Sequence, residues 1–286
     1  MRPFRSWVQA FFFLFAVWTP APAAPPALRV VSLSPHFTQV VFDIGAGDRL
    51  VGVTDFCRYP PAALLIPKVG GLLNPSVETI LRLKPDLVLA VPFYGPVLQA
   101  LRRQGLNVLV RDNSRVSDLL AAYDDVGKAL GMEKEARRAK RRFEKRLLAL
   151  NPPTGPRPSA LFLAGTETGT LSQMVAAGGG TYVNEILDKT GFRNVLADSS
   201  QPFVPFSREE LLRLNPDVIF QTVTPDENGP GAVGVYERLW KKWGSLRAVR
   251  EGRIYFLTKN EWTVPGPTMV DLGDYLLQVR KTLAAP

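Results

Sequence analysis

The chain has a single histidine, His36, and a single cysteine, Cys57, so any imidazole or thiol chemistry must come from these two side chains. If folding brought these two together, they could form the site of a thiol-dependent hydrolase. No Gly-x-Ser-x-Gly motif is present, which argues against a serine hydrolase of the α/β type. One histidine and one cysteine are too few for a usual zinc site unless carboxylates complete it. We therefore expect no catalytic residues, and the thiol hydrolase is the less favoured alternative.

An internal repeat indicates the elements that position these residues. Residues 76–89 read SVETILRLKPDLVL and residues 207–220 read SREELLRLNPDVIF, with seven of fourteen positions identical. In each copy a serine can cap a short helix, and the helix must end before the proline, because the residue before a proline is disfavoured in the α region. A β-rich run follows at once. Each copy therefore predicts a helix that leads into a buried strand, and two copies predict two similar α/β lobes.

Other segments alternate in the same way along both halves. We predict strands at residues 29–33, 50–54, 107–110, 160–163 and 254–257, and helices at 37–44, 95–104 and 182–189. Two further helices are predicted between the halves, at 117–130 and 133–150. The second is rich in strong helix formers, ends at two prolines and would be about 27 Å long, enough to bridge two lobes. The predicted domains are an N-terminal lobe at 24–116, connecting helices at 117–152 and a C-terminal lobe at 153–286.

The N-terminus is typical of a secretory signal peptide. Arg2 and Arg5 precede an apolar run at residues 8–18, and Ala21-Pro22-Ala23 offers a cleavage site. The run is shorter than the roughly 20 residues that span a bilayer, although an N-terminal anchor is the open alternative. Cys57 lies far from this site, so we expect no lipid-bearing cysteine there. The prediction is a signal peptide at 1–23 and a soluble periplasmic protein after its cleavage.

The net charge of +9, which becomes +7 without Arg2 and Arg5, is not arranged as in a nucleic-acid-binding protein. Its densest part, residues 134–146, reads as the solvated face of a helix rather than a basic stripe with interleaved aromatic residues. A secretory signal also argues against a nucleic-acid partner. We expect a monomer whose partner is a small molecule.

The order of several motifs resembles a known family. RVVSLSP, DRLVGVTDFCRYPP, PKVGG and ETILRLKPDLVLA occur in the first half, and GGGTYVNEIL, SREELLRLNPDVI, WGSLRAVREGRIYFL and PGP in the second. This set resembles the cobalamin-type class of periplasmic binding proteins of ABC importers, also called class III or helical-backbone receptors, over nearly all of residues 28–283. The resemblance is greatest to the vitamin B12-binding subgroup. It implies an α/β fold of two Rossmann-like lobes with parallel central sheets, joined by a single long bridging helix.

The resemblance also implies a ligand cleft between the lobes and a membrane permease with its ATPase as partner. Ligands of open α/β sheets bind beyond the carboxyl ends of the strands, where residues 34–37 and 55–59 are expected. The segment DFC resembles the DYC-type segment of cobalamin-associated relatives, so the expected ligand is a corrinoid, cobalamin or cobinamide, with no other cofactor. Expected ligand contacts are Pro35, His36, Phe56, Tyr59, Tyr94, Asn260 and Trp262.

Haem and ferric siderophores stay open as alternative ligands. In haem binders of the superfamily a tyrosine near Tyr59 ligates iron, and the His36 imidazole is also a suitable ligand, so these two would bind metal only if the ligand is haem. Siderophore binders commonly place arginines beside the PGP segment, where Val264 and Thr268 stand in this chain.

Glu78 and Glu209 occupy equivalent positions in the two repeats. The resemblance implies that one such acid on each lobe docks onto arginines of the permease, since charge pairs steer association and set its register. The alternative is that each carboxylate only stabilises the N-terminus of its helix.

Overall fold

Two β-sheets lie at the centre of the computed structural model, which describes residues 26–71, 74–224 and 229–284. The predicted signal peptide at 1–23 lies outside these residues. The first sheet is parallel throughout, in the order β2-β1-β3-β4. Its strands are β1 (Val30–Ser32), β2 (Leu50–Val53), β3 (Leu87–Ala90) and β4 (Asn107–Val110).

The second sheet has the order β10-β9-β5-β6-β8, with β7 beside β5. Strands β9 and β10 run parallel to β5, whereas β6 is antiparallel to both β5 and β8. This mixed edge was not predicted; the two-lobe α/β fold is confirmed. The strands are β5 (Ser159–Gly165), β6 (Met174–Ala177), β7 (Arg193–Asn194), β8 (Phe203–Phe206), β9 (Val218–Thr222) and β10 (Ile254–Leu257).

The helices predicted from sequence are present within two residues of their expected bounds. None in the described part of the chain is long and apolar enough to cross a membrane. The described helices are α1 (Pro35–Asp43), α2 (Val77–Arg82), α3 (Gly95–Arg103), α4 (Val116–Leu130), α5 (Glu133–Leu148), α6 (Tyr182–Lys189), α7 (Arg208–Leu214), α8 (Ala232–Trp240), α9 (Arg247–Arg250) and α10 (Met269–Ala284).

The two repeats fold alike at their helix starts. The Ser76 hydroxyl accepts a hydrogen bond from the Thr79 amide at 3.2 Å, and the Ser207 hydroxyl accepts one from the Glu210 amide at 3.1 Å. The Glu210 carboxylate also accepts from the Ser207 amide at 2.8 Å, which completes a capping box. Glu210 is therefore engaged within its own helix.

The repeats also share their helix ends. Lys84 and Asn215, the residues before the two prolines, adopt left-handed φ values of 46° and 40°. The chain then turns so that the next aspartate reaches a neighbouring strand. Asp86 accepts hydrogen bonds from the amides of Leu28 and Arg29 ahead of β1, and Asp217 accepts one from the Ser159 amide at the start of β5. The Pro-Asp pair of each repeat thus fixes where two parallel strands begin.

One apolar core joins both lobes to the connecting helices. Helix α5, about 24 Å long at 1.5 Å per residue, buries Ala136, Ala139, Phe143 and Leu147 in this core. The same cluster contains strand residues of the first sheet, such as Leu87, and of the second, such as Phe162. Because the lobes and the bridging helix share a packed core, we expect small relative motions of the lobes and no wide opening. The domain boundaries at 24, 117 and 153 stay predictions.

Candidate ligand-binding cleft

The carboxyl ends of the parallel strands lie at one edge of each sheet, and the loops that follow them bring the two lobes together. The Tyr182 amide at the start of α6 donates a hydrogen bond to the carbonyl of Ser114, which follows β4, at 2.6 Å. At a second contact between the lobes, the Thr268 hydroxyl donates a hydrogen bond to the side-chain oxygen of Gln39 on α1 at 2.9 Å. These two contacts join the lobes; Ser114 and Thr268 follow parallel strands, whereas Tyr182 follows the antiparallel strand β6.

The Pro-Gly-Pro segment of the C-terminal lobe packs closely on α1. A Cβ atom placed on Gly266 would lie 2.4 Å from the side-chain oxygen of Gln39, so a larger residue there would require the Gln39 side chain to move. Beside this contact a cavity of about 300 Å³ opens between the lobes. It is lined by Gln39, Phe42, Asp43, Tyr59, Pro60, Arg146, Pro267, Thr268 and Asp271.

Three aromatic side chains in the loops after β2 and β3 are partly exposed to solvent. Phe56 and Tyr59 are 39% and 38% exposed, and Phe93 is 63% exposed. Large apolar side chains are usually buried, so these three exposed rings at the carboxyl ends of two strands that flank β1 are candidates for a contact surface. The Arg58 guanidinium carbon lies 5.8 Å from the centre of the Phe56 ring, so cationic and aromatic groups alternate there.

His36 is buried at the first turn of α1. Its Nδ1 lies 2.8 Å from the Ser34 hydroxyl, and its Nε2 has no hydrogen-bond partner among the described residues. Burial lowers the pKa of His36 to about 3, against the opposing effect of the Asp112 carboxylate, which lies after β4. The imidazole is therefore neutral at physiological pH. Asp112 was not identified from the sequence, because the sequence does not show which of the loops after the strands lies beside His36.

Cys57 is buried, and its sulfur lies 3.2 Å from the Thr54 hydroxyl. Burial raises the pKa of the thiol, and hydrogen bonds from Thr38 and Thr54 only partly oppose that shift. A catalytic cysteine requires an accessible thiolate with a lowered pKa. The environment of Cys57 is the opposite, so the thiol acts as a small core residue.

Two other expected contacts are largely enclosed by protein. The Tyr94 hydroxyl donates to the Leu33 carbonyl at 2.9 Å, and burial raises its pKa to about 12. Trp262 stacks on Tyr275 with ring centres 4.9 Å apart, while the Lys259 ammonium lies 4.7 Å from the Trp262 ring centre. The indole Nε1 of Trp262 is buried and has no partner among the described residues.

The remaining expected contacts are more accessible. Pro35 is the first residue of α1 and is partly exposed. Asn260 is also partly exposed, and its carbonyl accepts hydrogen bonds from the amide and hydroxyl of Thr263. Pro35, Asn260 and Trp262 all lie in segments that follow a strand of the parallel part of a sheet.

Glu78 and Glu209 lie in the first turns of α2 and α7. The Glu78 carboxylate is 83% exposed and lies 3.8 Å from the guanidinium of Arg82, one turn later. For Glu209 no ion pair occurs among the described residues. The two repeats thus present one exposed acid each, in different electrostatic surroundings.

Sequence reasoning missed the contact of Gln39 with Gly266 and Thr268, although the Pro-Gly-Pro motif was noted. A glycine between two prolines is a signal of close backbone approach, but the element that approaches cannot be read from the sequence.

Comparison with known proteins gives a consistent result. A family profile described as "Periplasmic binding protein" matches residues 30–261. The chain is 28% identical over 250 residues to the vitamin B12-binding protein of Vibrio cholerae serotype O1, covering 86% of each chain. It is 29% identical over 252 residues to an uncharacterized ABC transporter substrate-binding lipoprotein, YvrC, of Bacillus subtilis, covering 85% of this chain and 76% of that one.

Two solved structures share the fold over most of their length. The periplasmic vitamin B12-binding protein BtuF of Vibrio cholerae is 25% identical with a TM-score of 0.76, and the match covers 91% of this chain and 99% of that one. The periplasmic heme-binding protein BhuT, in complex with two hemes, is 26% identical with a TM-score of 0.78. This second match covers 91% of this chain and all of that one.

Proposed function

Because this chain belongs to the family of periplasmic binding proteins, we propose that it binds a corrinoid between its two lobes and delivers it to an ABC importer. The observation that carries the proposal is the set of exposed aromatic rings at the strand ends, Phe56, Tyr59 and Phe93. A large, flat, largely apolar macrocycle gains most from such rings, because each offers a rigid apolar face at low entropic cost.

The relatives support the same ligand class. The vitamin B12-binding protein of Vibrio cholerae matches this chain and is itself matched over 86% of its length, so the likeness includes both lobes. The 300 Å³ cavity at Tyr59 is smaller than a corrinoid, so we propose that it receives an edge of the ligand while the aromatic loops cover its face.

For the other expected contacts we propose two kinds of role. Pro35 and Asn260 are partly exposed and would touch the ligand directly. His36, Tyr94 and Trp262 are enclosed and would shape the cleft, with the unpartnered nitrogens of His36 and Trp262 available for a hydrogen bond if the ligand reaches them.

We also propose that Glu78 and Glu209 dock the two lobes on the permease. Each carboxylate lies at the start of a repeat helix, one on each lobe. A matched pair of exposed charges fixes the register of a docking partner. The protein would then act as a soluble periplasmic carrier with no resident cofactor and no catalytic step. Cys57, which is buried and whose thiol pKa is raised, is unsuited to act as a nucleophile.

Haem is the second candidate, and one observation favours it. The Tyr59 phenol is partly exposed beside the cleft, where a tyrosinate could ligate ferric iron. The fold likeness to the heme-binding protein BhuT is as extensive as that to BtuF. Corrinoid and haem therefore have to be separated by experiment.

The test is a spectral titration of the purified mature protein with cyanocobalamin, dicyanocobinamide and hemin, each confirmed by calorimetry. Tight one-to-one binding of a corrinoid, without a Soret shift for hemin, is the expected result. The converse result would identify haem as the ligand and leave the transport role intact.

The variant Tyr59→Phe separates the two ligands further. It keeps the aromatic ring but removes the oxygen, so corrinoid affinity should change by less than about threefold, since a hydrogen bond of an exposed hydroxyl contributes about 0.5 kcal/mol, the low end of the usual range. A haem complex would lose its tyrosinate ligand and its Soret position would move. Phe56→Tyr, which adds a hydroxyl in the same loop, is the matched control.

A further inference from the structure

The solvent-facing side of the bridging helix α5 carries a row of cations that neither the fold nor the ligand cleft uses. Lys134, Arg137, Arg138, Arg141 and Lys145 are all exposed. Because an α-helix turns by about 100° per residue, these five side chains fall within an arc of about 100°. We call this arc, defined by those five residues, the basic face of α5.

The other cations of the helix are already neutralised. Lys140 pairs with Asp124 at 2.6 Å, Arg142 with Asp43 at 2.6 Å and Arg146 with Asp271 at 2.7 Å. By contrast, the five residues of the basic face form no ion pair with any described residue. The acidic residues of α5, Glu133, Glu135 and Glu144, lie outside the arc by the same helical geometry.

The buried side of the helix is opposite the basic face. Ala136, Ala139, Phe143 and Leu147 are packed in the core, so α5 cannot insert into another apolar environment without unfolding. The one apolar side chain within the arc is Leu148, at the end of the helix, and it is 78% exposed. The face therefore offers long flexible cations and a single apolar residue at its end.

This composition favours a diffuse anionic surface as the occupant. Protein interfaces are centred on buried aromatic or apolar anchors, whereas the basic face has only Leu148 at its end. Proteins that bind single-stranded nucleic acid combine cations with aromatic side chains on which the bases stack. A linear row of lysines and arginines without such anchors matches the requirements of anionic phospholipid headgroups.

We propose that the basic face of α5 binds the anionic phospholipid surface of a membrane and holds the protein there reversibly. The contact is electrostatic, since the apolar side of α5 stays in the core. The proposal does not depend on which ligand occupies the cleft.

The magnitude follows from the charge count. Each lysine or arginine near an anionic bilayer strengthens binding about fivefold at low ionic strength. Removing two of the five cations should therefore weaken the partition coefficient by roughly 30-fold. Raising the salt shortens the Debye length from about 10 Å at 0.1 M to a few ångströms near 1 M, which should release the protein.

The test measures co-sedimentation of the mature protein with vesicles of phosphatidylcholine alone and of phosphatidylcholine with one quarter phosphatidylglycerol, at low and high salt. The variant Arg138→Gln/Arg141→Gln removes two charges from the basic face. Its matched control is Arg102→Gln/Arg103→Gln, which removes two exposed charges at the end of α3 and gives the same net charge. Far-UV circular dichroism checks that both variants fold.

The expected result is binding to the phosphatidylglycerol vesicles only, lost at high salt, weakened about 30-fold in the α5 variant and unchanged within twofold in the α3 control. An equal loss in both variants would overturn the proposal, because adsorption would then follow net charge and not this face. Absence of wild-type binding to anionic vesicles at low salt would also overturn it and favour an acidic protein as the occupant.

Discussion

Arg142 and Arg146 lie one helical turn apart on α5, and each pairs with a different lobe. The Arg142 guanidinium lies 2.6 Å from the carboxylate of Asp43 at the end of α1. The Arg146 guanidinium lies 2.7 Å from the carboxylates of both Asp271 and Asp274 on α10. Asp43 also accepts a hydrogen bond from the Tyr123 hydroxyl of α4. The bridging helix is thus tied to one element of each lobe.

Removing the ion pairs of Arg142 and Arg146 should increase the relative motion of the two lobes while lowering the stability of the fold only slightly. We expect Arg142→Ala/Arg146→Ala to lower the free energy of unfolding by about 1–2 kcal/mol, since exposed ion pairs contribute up to about 1 kcal/mol each. We also expect a larger change in the radius of gyration on ligand addition than in the wild type, measured by solution scattering. The control is Lys140→Ala, which loses a pair to Asp124 within the connecting helices. An equal scattering change in that control would contradict the role of the two arginines.

The neutral, buried His36 should make the protein less stable in mild acid. The folded pKa is about 3, below the ordinary value of 6.5, so the unfolded chain takes up a proton that the folded chain does not. The contribution of the neutral His36 to the free energy of unfolding is therefore fully present well above pH 6.5. It decreases as the pH is lowered through 6.5 toward 3. Between pH 7.5 and 5.5 the loss should be about 1.3 kcal/mol.

Urea unfolding of the wild type and of His36→Gln at these two pH values measures that loss. The variant cannot titrate at this position, so its stability should change less over the same interval. Because His36 is the only histidine, its proton resonance can be followed directly by NMR. A native-state midpoint near pH 6.5 would show that the imidazole is accessible and the expectation wrong.

The buried thiol of Cys57 should be inert in the folded protein. Its raised pKa leaves little thiolate at neutral pH, and its side chain is shielded from reagents. Ellman's reagent should not react with the native protein and should titrate the single cysteine fully after denaturation in guanidinium. Ala62→Cys, at an exposed position, is the positive control. Rapid labelling of native wild-type protein would revive the thiol-dependent alternative.

Neutralising the repeat carboxylates should separate ligand binding from delivery. We expect Glu78→Gln/Glu209→Gln to leave the ligand dissociation constant unchanged in calorimetry, since both residues lie in exposed first turns of their helices. Uptake of labelled ligand by cells that carry the importer should fall by about tenfold or more, because an interfacial charge pair contributes at least about 1.5 kcal/mol. The exposed Glu237→Gln on α8 is the matched control. Normal uptake by the double variant would contradict the docking role and leave the two carboxylates with the stabilisation of their helix N-termini only.

The sequence alone was enough for the features that depend on neighbours along the chain. The Ser76 and Ser207 caps, the helix ends before Pro85 and Pro216 and the strands that follow are confirmed, because capping and proline sterics act over a few residues. The two-lobe α/β fold is confirmed for the same reason, since each repeat encodes one helix–strand unit.

Only the tertiary structure decided which site residues are accessible and what they touch. Tyr59 and Tyr94 are both tyrosines in loops after parallel strands, yet one is partly exposed and the other is sealed by its bond to the Leu33 carbonyl. Likewise, the contact of Gln39 with Thr268 joins residues 229 positions apart. Burial and long-range pairing depend on how the two sheets are arranged on either side of α5. Local sequence patterns do not determine that arrangement.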